Sequence, residues 1–393
     1  MGTSPKNGNQ SSSSITLESV SNIKKLSLSV GLCLVTYLFT KPSTNISSSL
    51  IDTTSKKQLK SVIRNNNDRP NFWNMPNKNG EFSPGIAWLM SFPNSGTSFT
   101  MTCVEHTSNV STATNYGDEV TAKGDYSLSI YPRREEGPFW EGLSGKLGTV
   151  RALPENYVLV KTHCGSRCLK CSPSEYVETY DSFVDACRFT TGRRAPDGKK
   201  KDYLYPVERV KKAIHLIRNP YHNFVARFHL DRKNAKYKGR DEWLQEHPSN
   251  ATGFRRWCNG LDILHEKEEY EFFEQETMKR FQRSPCHGEV FKYVQWHNLA
   301  FEITERRAMD SLVVFYGDYE TNFNQTLDTI LDFLELPKAE TPLPFEPGHK
   351  YSEYYMPSDK QQIRQLVKEI ADPITWRHLE RYFDQNDPFF EDI

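Results

Sequence analysis

The segment Ser91-Phe92-Pro93-Asn94-Ser95-Gly96-Thr97-Ser98 joins a short apolar run to a stretch, Phe99-Thr100-Met101-Thr102-Cys103-Val104, with helical character. A strand, a tight Gly/Ser turn and a helix N-terminus together make an anion cradle. Backbone N–H groups converge there, and the helix dipole adds partial positive charge. Ser95, Thr97 and Ser98 add hydroxyl donors beside Gly96. Taken alone, the segment reads equally well as an ordinary strand-to-helix turn with an N-cap. It is not a nucleoside-triphosphatase loop, which needs G-x-x-x-x-G-K-[ST]. Gly96 is followed by Thr97 and no lysine lies nearby, so the cradle implied is metal-free.

A second apolar run ends in Lys161-Thr162-His163. Two positions apart on a strand, the lysine and histidine point to one side. Histidine is suited to take a proton from an attacking hydroxyl, and lysine to stabilise charge on a group in transfer. A solvated lysine beside a structurally bonded histidine is the competing interpretation. A third run leads into Arg218-Asn219-Pro220-Tyr221, with Phe224, Val225 and Phe228 following at helical spacing. An arginine there offers a bidentate fork for phosphate, or a structural salt bridge. The fourth run closes with Tyr316-Gly317-Asp318-Tyr319-Glu320, whose aspartate reads as a loop-fixing or capping group.

The elements that must position these residues are legible in the same pattern. The apolar runs are 86–92, 157–160, 213–217 and 311–316. Near-continuous apolar strands of this length are buried on both faces, as in a parallel sheet. Leu327, Ile330, Leu331 and Leu334 mark a helix over 325–334. Ile363, Leu366, Val367 and Ile370 mark another over 358–371, with Ser358 and Gln361 as a capping box. Strands alternating with helices predict an α/β fold: a three-layer, doubly wound parallel sheet with a phosphate-binding strand-loop-helix, its ligand at the carboxyl edge. Charge is balanced, with 50 lysines and arginines against 50 acids, so no global basicity argues for nucleic acid.

One segment departs from globular texture. Residues 26–40 carry no charge and follow Lys24-Lys25, but 15 residues fall short of the roughly 20 that span a bilayer. A short signal anchor, a cleaved signal peptide and a core helix compete. Thr40-Lys41-Pro42-Ser43 is a poor cleavage site, polar sequence on both sides disfavours a core helix, and the basic pair favours a cytoplasmic N-terminus. The organisation expected is a cytoplasmic tail over 1–25, a type II anchor over 26–40, a stem over 41–82 and a catalytic domain over 83–393. Seven cysteines then face an oxidising lumen: Cys103, Cys164, Cys168, Cys171, Cys187, Cys258 and Cys286. They read as disulfide partners with one left over, rather than as a zinc knot. Sequons at Asn45, Asn109, Asn250 and Asn324 fit lumenal exposure.

Each motif is common, but their order is specific. Ser-Phe-Pro-x-Ser-Gly-Thr-Ser, Lys-Thr-His, Arg-Asn-Pro and Tyr-x-Asp before a helix ending Phe333-Leu334-Glu335-Leu336-Pro337 resemble the sulfotransferase family, with its P-loop-like fold, over about 85–336. Leu216 to Tyr221 and Phe224 to Phe228 look most similar to the membrane-bound WSC-domain sulfotransferases of the Golgi, without a WSC domain. The resemblance implies that Asn94, Ser95, Gly96, Thr97 and Ser98 hold the 5′-phosphosulfate end of 3′-phosphoadenosine-5′-phosphosulfate (PAPS), and Arg218 the 3′-phosphate. It implies His163 as general base, Lys161 on the sulfuryl group, no metal, and a glycan or glycoprotein hydroxyl as acceptor. Three departures stand out. Asn94 replaces the loop's customary cation, so Lys161 carries more of that task. Ala226 replaces a serine that contacts the 3′-phosphate, with Arg227 beside it as a substitute. The C-terminal Arg-Lys-Gly element of cytosolic members is absent, and His349-Lys350 stands in that region. The stretches least like the family, 105–155, 165–209 and 229–288, are expected to bind the acceptor. Among them Arg188, Arg193, Arg194 and Lys199 to Lys201 form a basic loop, either solvated or aimed at an acidic acceptor. A degenerate, non-catalytic binding protein and a nucleotide-dependent kinase are the alternatives, the kinase lacking its lysine.

Overall fold

In the computed structural model the first apolar run forms strand β1 (Gly85–Ser91), and all seven of its residues are buried. The structure describes residues 84–117, 119–120, 126–130, 140–141, 151–194, 200–345 and 351–383. They belong to one compact unit, Thr44–Ile393, and none to the other, Met1–Ser43. Short strands follow: β2 (Ala113–Thr114), β3 (Glu119–Val120), β4 (Tyr126–Ile130) and β5 (Trp140–Glu141). The long ones are β6 (Tyr157–Thr162), β9 (Val210–Ile217) and β10 (Asp310–Phe315). The pair β7 (Phe189–Arg194) and β8 (Lys200–Leu204) makes a separate antiparallel hairpin.

The main sheet has the order β10-β9-β1-β6-β2-β4-β3, with β5 beside β4. The strands from β10 to β4 are parallel, and β3 and β5 run antiparallel to β4. β1 lies between β6 and β9, so the chain crosses from one side of it to the other. That reversal opens a crevice at the carboxyl ends of these strands, where open α/β sheets bind ligands. Register aligns the tips: Met90 pairs with Thr162 on one side and His215 on the other, and Phe315 pairs with Ile217.

Alternation along β1 feeds two cores. Ala87 and Leu89 pack with Leu159, Ile214 and Leu216 against helices α1 (Thr97–Ser108) and, C-terminal in the chain, Phe323–Phe333. Ile86, Trp88 and Met90 face the other layer. It contains α2 (Tyr180–Arg188), α3 (Pro220–Tyr237) and α4 (His287–Arg306), with α5 (Phe323–Phe333) on the first face and α6 (Pro357–Ile370) on the second. The three-layer α/β architecture expected from the apolar runs is the one observed.

Two details differ from the sequence pattern. The last of these helices begins at Pro357, not Ser358, because proline at the first helical position is already set to helical φ. Its box is closed by Asp359 rather than Gln361: the Met356 N–H donates to the Asp359 carboxylate at 2.9 Å. Three disulfides form, Cys164–Cys187, Cys168–Cys171 and Cys258–Cys286, and Cys103 is buried in α1. Among the described residues no helix is long and apolar enough to cross a membrane. The tail 1–25, the anchor 26–40, the stem 41–82 and His349-Lys350 lie outside the described residues.

The second core layer also carries neutral histidines. His215 and His297 are fully buried, and burial, reinforced by neighbouring histidines, lowers both from 6.5 to about 3. Unfolded histidine binds a proton below pH 6.5 and these do not until about 3, so each costs stability as pH falls between those values. At pH 5 the cost is about 2 kcal/mol per residue. Replacing His297 with Phe is expected to remove that share. Denaturant midpoints at pH 7.5 and 5 should converge in the variant by about that amount relative to wild type; an unchanged difference would mean that His297 is protonated in the fold.

Candidate active site

The loop between β1 and α1 is shaped by two residues with positive φ, Asn94 at 68° and Gly96 at 95°. Asparagine tolerates this region better than most residues, and glycine adopts it freely. A Cβ on Gly96 would lie 2.2 Å from the Tyr316 ring. Helix α1 starts with no side-chain cap on its N–H groups and no acidic residue in its first turn. Its positive end therefore faces the cleft unneutralised. Asn223 of α3 braces the loop from behind, donating from Nδ2 to the Pro93 carbonyl at 2.9 Å and to Ser95 Oγ at 3.2 Å. Ser95 is fully buried by this packing, whereas Gly96, Thr97 and Ser98 line the cleft.

His163 follows β6, and four contacts set its position. Its Nδ1 lies 2.8 Å from the Ser91 carbonyl, so Nδ1 carries the proton and Nε2 keeps its lone pair. Its N–H donates to the Tyr116 hydroxyl at 2.6 Å, and its carbonyl accepts from Trp296 Nε1 at 2.8 Å. Its ring stacks on Tyr116 with centroids 5.6 Å apart. Burial, then the charge of Lys161, with smaller effects from Arg167 and Arg227, lowers His163 to about 3, against an opposing bond from Ser91. The side chain is thus neutral at physiological pH, as a base must be. Lys161 is 8% exposed on the same side of the strand, while Thr162 between them turns inward to the Cys187 carbonyl. Immediately after His163 the chain turns through Cys164 at φ 48°, tied to Cys187 at the end of α2.

The Arg-Asn-Pro motif divides its labour. Asn219 caps α3 through its side-chain oxygen, which accepts from the Tyr221 N–H at 2.9 Å, and Pro220 occupies the first helical position. Arg218 reaches the loop instead: Nη1 donates to the Asn94 carbonyl at 2.7 Å, and the guanidinium stands 5.1 Å from the Tyr316 ring. Its Nε is buried without a hydrogen-bond partner, and among the described residues no carboxylate pairs with it. Burial lowers its proton affinity, though arginine stays charged. The Arg218 guanidinium thus reaches from the neighbouring strand tip onto the loop at Asn94. Arg227 is different. It is 1% exposed and pairs with Glu289, which also pairs with Lys292. Ala226 packs against the core. Asp318 fixes its loop, accepting from Arg381 at 3.2 Å.

These groups meet in a cleft of about 780 Å³. Its described lining includes Lys161, His163, Arg167, Arg218 and Arg227, with loop residues 93–94 and 96–99, Leu169 and Leu230, and no carboxylate. The residues singled out for chemistry at the tips of β1, β6 and β9 are thus gathered, with Ser95 just behind the surface, while none of residues 316–320 at the fourth tip is in the described lining. Sequence reasoning did not single out Tyr116, Arg167, Ser91 or the bracing residues of α4. Arg167 stands 4.4 Å from the Tyr116 ring, and its carbonyl accepts from Arg227 at 3.1 Å. Tyr293 of α4 donates to the Arg218 carbonyl at 2.6 Å, as Trp296 does to that of His163. Among the described residues no group of His, Cys, Asp and Glu could hold a metal ion.

No family model matches the chain, and no curated protein matches it. Among solved structures it is similar to mouse sulfotransferase SULT7A1 complexed with PAP. The likeness covers 77% of this chain and 84% of that one at 14% identity, with a TM-score of 0.28. At that TM-score it bears on neither fold nor function.

Proposed function

We propose that the cleft binds PAPS and passes its sulfuryl group to an acceptor hydroxyl. The observation that carries this is the meeting, in one cleft whose described lining holds no carboxylate, of an uncapped helix N-terminus, Arg218 with an unpartnered Nε, and a neutral histidine whose Nε2 can accept a proton. Gly96 to Ser98 and Arg218 supply N–H donors for the anionic ends of the donor, and the volume suits a nucleotide. The acceptor O–H gives its proton to His163 Nε2 as its oxygen bonds sulfur. The bond from sulfur to the bridging phosphate oxygen breaks, and PAP leaves with the electron pair. Lys161 offsets charge on the group in transfer. Direct transfer of this kind depends on positioning and charge stabilisation rather than on covalent help from the protein.

The compartment proposed is the secretory lumen, with a type II anchor over 26–40 and a glycan or glycoprotein acceptor. Three disulfides support an oxidising compartment. The asparagines of three sequons, Asn109, Asn250 and Asn324, are exposed. The basic stretch lends less: Arg188 pairs with Asp185 and donates to the Tyr205 carbonyl at 3.0 Å.

Radiolabelled PAPS with a mixed panel of hydroxyl acceptors, alongside PAP binding by calorimetry, tests the proposal. Transfer of label supports it. Binding of PAP without transfer to any acceptor would instead favour a non-catalytic binding protein, and neither binding nor transfer would end it.

A further inference from the structure

Ser91, the last residue of β1, is fully buried and touches both halves of the site. Its hydroxyl lies 2.6 Å from Thr97 Oγ1 in the anion loop and 3.3 Å from His163 Nδ1. Its carbonyl holds the same Nδ1 at 2.8 Å. A hydroxyl donates one hydrogen bond and accepts others, so the direction of this chain is set at its ends. An anion in the loop accepts from the Thr97 O–H. Thr97 Oγ1 is then left to accept from the Ser91 O–H, and Ser91 Oγ to accept from His163 Nδ1–H. Every dipole in the chain then points from the imidazole toward the anion, and such chains polarise one another.

We infer that Ser91 is a positioning residue that couples loop to base, making His163 the stronger base when an anion occupies the loop. The coupling rests on the proposed function only in naming PAPS as that anion. In the empty loop the Ser91 hydroxyl hydrogen has no such direction imposed on it. The charged and titratable groups facing His163 are Lys161 at the end of β6, Arg167 on the following loop and Arg227 on α3, with the Tyr116 ring stacked against it. An anion offsets part of their charge whether or not Ser91 is present, so the Ser91 contribution is a difference between variants. Coupled in this way, the base gains proton affinity at the moment a donor is in place to be used.

The test is nitrogen-15 NMR of the His163 ring in the full chain, titrated with PAP and separately with inorganic pyrophosphate. In wild type the Nδ1–H tautomer is expected, with an upward shift in pKa on adding either anion. In Ser91→Ala, which keeps the carbonyl, the upward shift should be smaller by about one pKa unit. The acid limb of the kcat profile for label transfer should then move to lower pH, with KM for PAPS unchanged. A merely structural role for Ser91 would lower activity without moving that limb. Thr97→Val breaks the chain at its other link and should blunt the NMR shift alike. Equal shifts in wild type and Ser91→Ala, or an Nε2–H tautomer, would overturn the inference. If pyrophosphate shifts His163 but PAP does not bind, the proposed function falls while the coupling stands; if neither binds, both fall.

Discussion

Replacing His163 with alanine is expected to lower label transfer by roughly 10²–10⁴-fold, the usual contribution of a general base. PAP affinity should change little, because the groups assigned to the donor belong to the 93–98 loop and Arg218, not to the imidazole. The loss should appear in kcat rather than in KM for PAPS, since the base acts on the acceptor proton during transfer. The fold should tolerate the change. His163 makes its contacts to Tyr116 and Trp296 through its backbone N–H and carbonyl, which alanine keeps. The ring gives up its Nδ1 contacts with the Ser91 carbonyl and hydroxyl and its stacking on Tyr116. Steady-state rates with labelled PAPS, paired with calorimetric PAP binding, check both halves. Undiminished transfer would remove His163 as the base and leave Lys161 and the loop to carry the chemistry.

How much of this site could be read from the chain depends on where the signal lies. β1, β6 and β9 were legible because parallel strands buried on both faces are written as near-continuous apolar runs, such as Ile86 to Phe92. The run at 311–316 also became a strand, but β10 lies at the sheet edge and is only partly buried, contrary to the expectation of burial on both faces. The strand-tip residues were legible because polar groups end such runs abruptly, as in Lys161-Thr162-His163 and Arg218-Asn219-Pro220. Helix α4 was not. It is buried nearly all round, yet it carries Glu289, Lys292, Gln295 and His297 among its buried residues, so no clean apolar stripe marks it. Glu289, Lys292 and Gln295 find partners far away in sequence, such as Arg227, the Cys168 carbonyl and Ser166, while neither ring nitrogen of His297 has a hydrogen-bond partner among the described residues. Tyr116 and Arg167 sit outside regular helix and strand, where type and spacing say little, and they become site residues only because loops bring them over His163. The role of Arg218 toward Asn94 was hidden for a related reason. It depends on parallel register between β9 and β1, which places two strand tips side by side. Local sequence shows an asparagine at position 94, but not which neighbouring strand tip places a cation against it.

Exchanging Gly96 for alanine is expected to abolish measurable PAP binding while leaving the rest of the domain folded. Two independent penalties meet at this residue. The first is backbone: at φ 95° an L-residue pays about 1–2 kcal/mol that glycine does not. The second is space, since the new Cβ would stand 2.2 Å and 2.3 Å from two atoms of the Tyr316 ring. Tyr316 has little freedom to retreat, for its ring packs edge-on against Tyr319 at 6.0 Å and Phe345 at 5.8 Å. It also faces the Arg218 guanidinium, so any movement disturbs the cation that holds the Asn94 carbonyl. Loop, ring and arginine therefore cannot relax separately, and the N–H groups at the start of α1 lose the arrangement that faces the anion. Circular dichroism should show the fold intact, with thermal stability reduced by the backbone penalty, and calorimetry should show PAP affinity lost. Serine at position 96 should fail in the same way despite its added hydroxyl, because both penalties arise from Cβ. Normal PAP affinity in Gly96→Ala would mean that the donor's anionic end lies elsewhere in the cleft, against Lys161 and Arg167 instead of the loop.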